Sequence, residues 1–318
     1  MGITGGCDRN AHTRGDAYTV TRGLIVRAQS GFYNVQTTDA LLVCRLRGHL
    51  KRGRQSVTIA TVGDWVDISR LDNETGIIES VEPRQRKLSR MDPRPRGEFE
   101  QVIVANPDQA MLVFACSQPQ PPFDMLDRFL VITEKQAIPA LIVANKIDLV
   151  TKKETRALFD HYTHIGYSLV YTSAKTGQGV GELALILRHK LSVLVGPSGV
   201  GKSSLLNAIQ PGLGLAVSEV SRATSKGKHT TVVRELFTLN EGGYVADTPG
   251  LRALALWDIE PEELDGYFPE MRDLVAQCEY NDCSHIDESN CAIRQSVVEG
   301  RIHPERYHSY LRMRSGEV

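Results

Sequence analysis

A glycine-rich turn ending in a lysine and a serine is the most chemically informative stretch of the chain. It lies between an apolar stretch at residues 190–195 and a helix-forming stretch that starts at residue 202. Backbone N–H groups at a helix N-terminus attract phosphate oxygens, and glycines let them approach without side-chain clashes. Lys202 can reach the β- and γ-phosphates, and Ser203 can ligate Mg²⁺. The residues predicted to bind a nucleotide here are Gly196, Pro197, Ser198, Gly199, Val200, Gly201, Lys202, Ser203 and Ser204.

A second motif, Asn-Lys-Ile-Asp at residues 145–148, predicts which base that nucleotide carries. It follows an apolar stretch at residues 139–144, which places it in the crevice beyond the carboxyl end of a strand. The carboxylate of Asp148 can accept two hydrogen bonds. Guanine offers two donors on one edge, and adenine cannot match them. The motif therefore predicts that Asp148 selects guanine.

Resemblance to GTPases assigns roles to the neighbouring residues. It implies that Asn145 holds the loop and the base, and that the stem of Lys146 covers the ring. It also implies that the backbone N–H of Ala174, between Ser173 and Lys175, meets the guanine oxygen.

Residues 247–250, Asp-Thr-Pro-Gly, predict where the γ-phosphate is held. Asp247 ends an apolar stretch and can hold Mg²⁺ through water, and the Gly250 N–H can meet the γ-phosphate. The next residue is Leu251, where many GTPases place a glutamine that orients the attacking water. Intrinsic hydrolysis is therefore expected to be slow, and another group must position the water.

The polar loop at residues 221–231 supplies candidates for that group. Its composition is typical of a segment ordered by the γ-phosphate and Mg²⁺. Either Thr230 or Thr231 is expected to approach Mg²⁺, and the sequence does not decide between them. The imidazole of the adjacent His229 can hydrogen-bond an attacking water. We predict that His229 positions this water; the alternative is that it stabilises the loop or contacts RNA.

The order of these motifs is permuted. In ordinary GTP-hydrolysing domains the phosphate loop comes first and the guanine motif near the end. Here the guanine motif at residues 145–148 precedes the phosphate loop at residues 196–203. The segment after residue 250, which moves with the γ-phosphate, consequently leads out of the nucleotide sheet.

Composition predicts a multi-domain protein of the cytoplasm. A length of 318 residues suggests two or three domains, and 24% charged with 41% hydrophobic residues is ordinary for globular chains. No apolar run approaches the length that crosses a bilayer, and residues 1–20 lack the apolar core of a signal segment. We therefore expect no membrane partner, and we expect residues 1–20 to form a flexible leader.

The N-terminal part is basic and β-rich. Residues 21–97 contain 14 Lys+Arg and 8 Asp+Glu, a charge of +6. Five short β-rich stretches favour an OB-type barrel, at residues 23–36, 41–46, 56–59, 64–71 and 76–81. Two basic segments, residues 45–54 and 84–96, are predicted to meet RNA phosphates; a solvated surface is the alternative.

The rest of the chain divides into two parts. From Asp108 onward strand and helix patterns alternate, which indicates that the domain at residues 98–257 has a parallel sheet with right-handed crossovers. From residue 258 the chain is acidic and helical, and four clustered residues could ligate a metal: Cys278, Cys283, His285 and Cys291. Three thiolates and an imidazole complete a tetrahedral Zn²⁺ site with no open position, so the predicted zinc is structural. The alternative is a chance cluster of reduced cysteines.

With these motifs taken together, the chain resembles the circularly permuted GTPases that depend on the small ribosomal subunit, called RsgA or YjeQ. The resemblance spans about residues 21–312. It rests on the motif order, Gly63-Asp64, Leu126-Asp127-Arg128, the loop at 227–231, the zinc spacing and residues 300–310. It implies a monomer that binds GTP, GDP and the 30S subunit, contacts 16S rRNA, assists late maturation, and hydrolyses GTP to GDP and phosphate when the subunit stimulates it.

The predicted architecture is a multi-domain α/β protein. An OB-type β-barrel at residues 21–97 precedes a circularly permuted P-loop GTPase domain at residues 98–257 and a helical zinc-binding domain at residues 258–318. Two functions fit this architecture. The protein is either an enzymatic switch that binds ribosomal RNA or a GTP-gated RNA-binding placeholder in which hydrolysis is incidental. The second function is retained because Leu251 cannot orient the attacking water.

Overall fold

The computed structural model describes residues 20–52, 56–92, 99–213, 234–247 and 259–317. The predicted leader at residues 1–20 lies outside them except for its last residue. Four residues predicted to act around the γ-phosphate also lie outside, His229, Thr230, Thr231 and Gly250, and so does Leu251.

The N-terminal unit is a closed five-stranded barrel. Its strands are β1 (Val20–Gln29), β2 (Phe32–Gln36), β3 (Leu41–Leu46), β4 (Trp65–Arg70) and β5 (Thr75–Val81). They pair in the order β1-β2-β3-β5-β4, and β4 pairs back with β1. The β3–β5 pairing is parallel and the others are antiparallel. Inward and outward residues alternate along β3, so that Leu42, Cys44 and Leu46 enter the core.

The predicted barrel is confirmed, with a different division into strands. Residues 23–36 form two strands, because Ser30 and Gly31 both take positive φ and make a tight turn. The strand expected at residues 56–59 is wrong: Val57 makes only an isolated bridge to Glu100. The barrel still has five strands, because residues 23–36 form two strands and residues 56–59 form none.

A two-stranded connection joins the barrel to the next domain. Strands β6 (Lys87–Met91) and β7 (Glu100–Ala105) pair antiparallel and cross the predicted domain boundary at residue 97. Two basic residues of the second basic segment form ion pairs within the protein here. Arg84 donates to both oxygens of the buried Asp64 at 2.7 and 2.8 Å, and Lys87 lies 2.6 Å from Glu100. These ion pairs stabilise the junction between the barrel and the two-stranded connection.

The second domain is a six-stranded sheet. Its strands are β8 (Gln109–Ala115), β9 (Ala140–Asn145), β10 (Ser168–Tyr171), β11 (Leu191–Val195), β12 (Arg234–Thr238) and β13 (Tyr244–Asp247). The order is β10-β9-β8-β11-β13-β12, and only β12 runs antiparallel to its neighbour in this sheet. Every residue of β8 is buried. Continuous apolar strands of this kind are expected where both faces of a parallel sheet are covered.

Four helices cover the two faces. They are α1 (Phe123–Lys135), α2 (Lys152–Ile165), α3 (Val180–Leu187) and α4 (Lys202–Ile209). Alternate residues of β8 belong to two separate cores: Phe114 packs in the cluster that contains α1 and α2 residues, and Val113 in the cluster that contains α3 and α4 residues. A capping box fixes the start of α2, since Glu154 N–H donates to the Thr151 hydroxyl at 3.2 Å and Thr151 N–H to the Glu154 carboxylate at 2.7 Å.

The barrel and the six-stranded sheet are continuous. Strand β12 pairs with β1 through Arg27 opposite Glu235 and Ala28 opposite Arg234, which gives a sheet of 11 strands in total. The residues just before β12 include the predicted polar loop at 221–231, which carries the predicted threonines and lies outside the described residues. The strand that follows this loop is therefore hydrogen-bonded directly to the barrel.

The C-terminal unit is helical and compact around its own core. It contains 3₁₀ segments at Pro261–Tyr267 and Val275–Gln277, and helices α5 (Pro269–Arg272), α6 (Ala292–Val298) and α7 (Pro304–Arg314). Leu264, Phe268, Met271, Ile293 and Tyr310 are buried in its core. Across the described parts of the chain, no helix is both long and apolar enough to span a membrane.

A buried ion-pair network joins this unit to the second domain. Arg306 on α7 is fully buried and donates to Asp127 on α1 at 2.7 Å and to Glu270 on α5 at 2.7 and 3.2 Å. Tyr162 on α2 donates to the same Asp127 oxygen at 2.8 Å. Burial lowers the pKa of Arg306, but the two carboxylates outweigh it and hold that pKa well above its ordinary value. The guanidinium therefore stays charged between two domains.

Truncating this arginine should loosen the junction strongly. Arg306→Ala leaves the carboxylates of Asp127 and Glu270 buried without their cation, and breaking a buried pair costs about 3–5 kcal/mol. We expect the free energy of unfolding from urea titration to fall by about that amount. Arg301→Ala is the matched control, because Arg301 pairs with Glu299 on the surface, and such pairs contribute about 1 kcal/mol or less. Equal losses in the two variants would contradict the role of the network.

Candidate nucleotide site and metal cluster

The glycine-rich turn connects β11 to α4, as its sequence requires for an anion site. Gly196, Gly199 and Gly201 have φ of 149°, 78° and 96°. A Cβ at Gly196 would lie 2.1 Å from the carbonyl oxygen of Val113 on β8, so only glycine allows this approach. The Lys202 ammonium donates to two carbonyl oxygens of the turn, at 2.8 and 2.6 Å. The charge of Lys202 is thereby held over the turn at the N-terminus of α4.

Asn145 connects the guanine motif to the phosphate loop. It ends β9 and is 1% exposed. Its Nδ2 donates to the carbonyl of Val200 at 2.8 Å, while its Oδ1 accepts from the Thr172 hydroxyl at 3.1 Å and the Ala174 N–H at 3.3 Å. One side-chain amide thus links three segments that are distant in sequence. A buried amide with its groups satisfied in this way fixes the relative positions of the loops.

The carboxylate predicted to read guanine is oriented by a serine. Asp148 lies in a 3₁₀ segment, Ile147–Leu149, and its Oδ1 accepts from the Ser173 hydroxyl at 2.7 Å. Ser173 is fully buried and its oxygen also accepts from the Thr176 N–H at 3.1 Å. The Lys175 ammonium lies 3.9 Å from Asp148 Oδ2. A carboxylate fixed in direction and 15% exposed can receive two donors from one edge of a base.

The side chain of Lys146 contacts a loop that the sequence did not predict to be part of the site. The residue takes a left-handed backbone conformation with φ 61°, and its ammonium donates to the carbonyl of Gln118. Gln118 follows β8, whose end pairs with the end of β9. The stem of Lys146 therefore runs from the guanine motif towards the β8 loop. No spacing pattern in the sequence predicts this contact.

The predicted Mg²⁺ residues come to the same edge of the sheet. Asp247 ends β13 and lies in register with Leu194 on the neighbouring β11, and Ser203 is in the first turn of α4. The phosphate loop begins two residues after Leu194. The structure thus brings the phosphate loop, the guanine motif and the backbone of Asp247 together, although the guanine motif precedes the other two in the chain.

The four predicted metal ligands form one cluster. Their ligand atoms all lie within 4.8 Å of one another. His285 Nδ1 is 3.6 Å from Cys278 Sγ and 3.4 Å from Cys291 Sγ, and these sulfurs are 4.0 Å apart. Tetrahedral bonds of zinc length give sulfur–sulfur distances of about 3.8 Å and sulfur–nitrogen distances of about 3.5 Å. The cluster could therefore hold one tetrahedral metal ion.

A carboxylate outside the predicted ligand segment orients the histidine. His285 Nε2 lies 3.0 Å from Asp265 Oδ2, so Nδ1 is the nitrogen that faces the sulfurs. Asp265 precedes His285 by 20 residues and lies on the 3₁₀ segment Pro261–Tyr267, outside the ligand segment, which is why sequence spacing did not suggest it. Burial raises the pKa of the Cys283 thiol to about 12. A thiolate at this position needs a cation to stabilise it.

These features define a class of protein: a P-loop GTPase with permuted motifs, a barrel before its nucleotide domain and a helical metal-cluster domain after it. Residues 81–257 match the family described as RsgA GTPase, and residues 22–78 match the RsgA N-terminal domain. The chain belongs to the RsgA GTPase family, whose members are GTP hydrolases that act with Mg²⁺.

Relatives and solved structures match nearly the whole chain. Two proteins named small ribosomal subunit biogenesis GTPase RsgA, from Gemmatimonas aurantiaca and Moorella thermoacetica, are each 44% identical to it. The first match covers 93% of this chain and 97% of the relative, and the second covers 91% and 94%. The crystal structure of YjeQ from Thermotoga maritima has a TM-score of 0.75 at 36% identity, covering 93% and 98% of the two chains. That of YloQ, a circularly permuted GTPase, has a TM-score of 0.73 at 32% identity, covering 95% and 96%.

Proposed function

We propose that this protein binds the small ribosomal subunit in the cytoplasm, assists its late maturation as a monomer, and hydrolyses GTP to GDP and phosphate when the subunit stimulates it. The observation that carries the proposal is the 44% identity, across 93% of this chain, to a relative named for small-subunit biogenesis. A GTP-gated placeholder remains the second candidate, because Leu251 offers no polar atom to the attacking water.

The nucleotide roles in this proposal follow the contacts of the site. Asp148, oriented by Ser173, would accept from guanine, and the stem of Lys146 would cover the base. Lys202 would exchange its loop carbonyls for phosphate oxygens, and Ser203 with Asp247 would hold Mg²⁺. Mg²⁺ neutralises charge on the β- and γ-phosphates during transfer, and His229 with Thr230 or Thr231 would complete the site around the γ-phosphate.

The first basic segment would contact 16S rRNA. In this segment Arg47 pairs with Glu79, and a 3₁₀ turn at Gly48–Lys51 presents His49 and Lys51 on the surface. Among the described residues none forms an ion pair with Arg45. Lysine and arginine contacts to phosphates release counterions, which makes affinity fall with salt.

The test of subunit binding is its salt dependence. We expect affinity for purified small subunits to fall steeply with salt in the presence of a non-hydrolysable GTP analogue. Replacing Arg45 and Lys51 with alanine should reduce the slope of log affinity against log salt by about 1 for each lost phosphate contact. Lys190→Ala, on the nucleotide domain, is the control with an unchanged slope. Binding that is independent of salt in wild-type protein would contradict the rRNA contact.

We also infer that the metal of the cysteine cluster is one structural Zn²⁺. The donor set of three sulfurs and one imidazole suits zinc, and four protein ligands leave no position for substrate. Metal analysis should find one zinc per chain. Cys283→Ala should lower the unfolding temperature of the C-terminal unit while GTP affinity stays unchanged, because metal binding contributes to folding. Cys44→Ala, a buried cysteine of the barrel, is the control that should retain zinc. A folded wild-type protein free of metal would contradict the assignment.

A further inference from the structure

A cleft lies where the barrel meets the nucleotide domain. We call it the junction cleft and define it by five of its lining residues, Arg22, Trp65, Arg86, Lys190 and Tyr244. The first two belong to barrel strands, Arg86 to the segment just before β6, and the last two to the nucleotide domain. The volume of the cleft is about 450 Å³. Cavities of this size at domain interfaces are common sites for small molecules.

The junction cleft is separate from the nucleotide site. It is lined by Leu191 and Tyr244, the first residues of β11 and β13. The phosphate loop follows the other end of β11, after Val195, and Asp247 is at the other end of β13. A strand rises about 3.3 Å per residue, so Leu191 and Val195 are roughly 13 Å apart. A molecule in the cleft would therefore bind at the opposite edge of the sheet from GTP.

The two carboxylates that line the cleft already accept hydrogen bonds from the protein. Glu82 accepts from the Arg22 guanidinium at 2.5 and 3.0 Å. Asp108 accepts from the Leu191 N–H at 2.7 Å. The Arg22 guanidinium also lies over the ring of Trp65, with its carbon 4.0 Å from the ring centroid. These two acids and Arg22 are therefore engaged before any ligand binds.

The other two cations of the cleft are not neutralised. Among the described residues, no side chain forms an ion pair or hydrogen bond with the Arg86 guanidinium, whereas its neighbours Arg84 and Lys87 in the second basic segment are ion-paired. The Lys190 ammonium donates to the side-chain oxygen of Gln109 at 3.3 Å. That partner is a neutral amide, so the charge of Lys190 remains. Two positive charges are thus available to a ligand in the cleft.

This arrangement suits one small anion better than a strand of RNA. The planar guanidinium fork matches the paired oxygens of a carboxylate or phosphate. Three cationic and two anionic side chains line the cleft, so the lining carries a net charge of one positive with its histidine neutral. A strand of RNA would bring further phosphates close to Glu82 and Asp108, and like charges at close range repel. A small anion can place its charge at Arg86 alone.

We propose that the junction cleft binds a small anion through carboxylate or phosphate oxygens, with Arg86 and Lys190 as the cationic partners. The inference goes beyond the proposed function, because it requires neither the small subunit nor GTP hydrolysis. The ligand would contact the barrel and the nucleotide domain at once. A ligand that binds only this folded arrangement stabilises it, so the anion should raise the unfolding temperature.

The test uses the full-length protein saturated with Mg²⁺ and GDP, so that the phosphate loop is already occupied. Trp257→Phe leaves Trp65, in the cleft, as the one tryptophan of the chain. This protein is titrated with inorganic phosphate in one series and with succinate in another. We expect a saturable change in Trp65 fluorescence and a higher unfolding temperature. The series with the higher affinity identifies the ligand as a phosphate or a carboxylate.

Removing the arginine should weaken that binding. On the Trp257→Phe background, Arg86→Ala should lower the affinity for the tighter anion by about 10- to 100-fold, as expected for a lost hydrogen bond to a charged group. The fold should be retained, because it is the Arg86 backbone carbonyl that accepts from the Asn106 N–H, at 2.8 Å. Arg156→Ala, which removes an exposed arginine from α2, is the matched control and should leave the affinity unchanged.

Three outcomes would overturn the inference. Neither anion could change Trp65 fluorescence more than sodium chloride does at equal ionic strength, which indicates screening and not binding. Arg86→Ala could saturate at the same anion concentration as the protein that retains Arg86. A short oligoribonucleotide could change Trp65 fluorescence while phosphate and succinate do not, which indicates that the cleft receives RNA.

Discussion

His229→Ala is expected to keep GTP and small-subunit binding but to lose most subunit-stimulated turnover, by roughly 10²–10⁴-fold. The expectation starts from Leu251, which has no polar atom at the position where many GTPases orient water. His229 is in the polar loop next to the two threonines predicted to approach Mg²⁺. Its imidazole can hydrogen-bond an attacking water, and we expect the loop to close over the γ-phosphate.

The pairing of β12 with β1 gives a physical route by which binding of the small subunit can affect GTP hydrolysis. Two residues separate the predicted polar loop at 221–231 from the start of β12, and β12 pairs with the barrel through two residue pairs. A barrel held by rRNA would restrain the strand that ends the loop. His164→Ala, at an exposed position on α2, is the matched control and should leave stimulated turnover unchanged. Near-normal stimulated turnover in His229→Ala would transfer the positioning role to Thr230 or to the subunit itself.

Asp148→Asn is expected to lower GTP affinity by roughly 10²–10⁴-fold, because two hydrogen bonds to a charged acceptor contribute about 1.5–3 kcal/mol each. The variant should gain affinity for xanthosine triphosphate, whose base has a carbonyl where guanine has its amine, and which can accept from the new amide. The Ser173 hydroxyl can still donate to the amide oxygen, so the loop should keep its shape.

The measurement is competitive binding of the two triphosphates to wild type and variant. Asp273→Asn, an exposed carboxylate of the C-terminal unit, is the control and should bind GTP normally. Unchanged selectivity for GTP in Asp148→Asn would remove Asp148 from base recognition.

Local chemistry made the central elements predictable from sequence. The glycine turn at residues 196–201 and the four metal ligands each carry their information within 14 residues or fewer, and the structure brings each set together. Apolar stretches before the motifs predicted the strands β9 and β11. The barrel was predicted as a class, because β-rich stretches and turn residues alternate along residues 21–81.

Contacts between distant segments could not be predicted in the same way. Asp265 orients His285 from 20 residues away, and Gln118 meets Lys146 from a loop after another strand. The bridging role of Asn145 depends on β9 and β11 lying on either side of β8. Residues 56–59 are strand-forming and lie along β7, yet they make only one bridge to it, because beyond Glu100 the Val102 N–H donates to the Thr58 hydroxyl and not to a backbone carbonyl. Contacts between distant segments decide these cases, and no local pattern in the sequence encodes such contacts.

The central claim is that this GTPase responds to the small ribosomal subunit, and GTP turnover with and without purified small subunits tests it most directly. We expect slow release of phosphate from GTP by the protein alone and a large increase on addition of small subunits. Large subunits at the same concentration should give no such increase. Equal turnover with and without small subunits would contradict the claim.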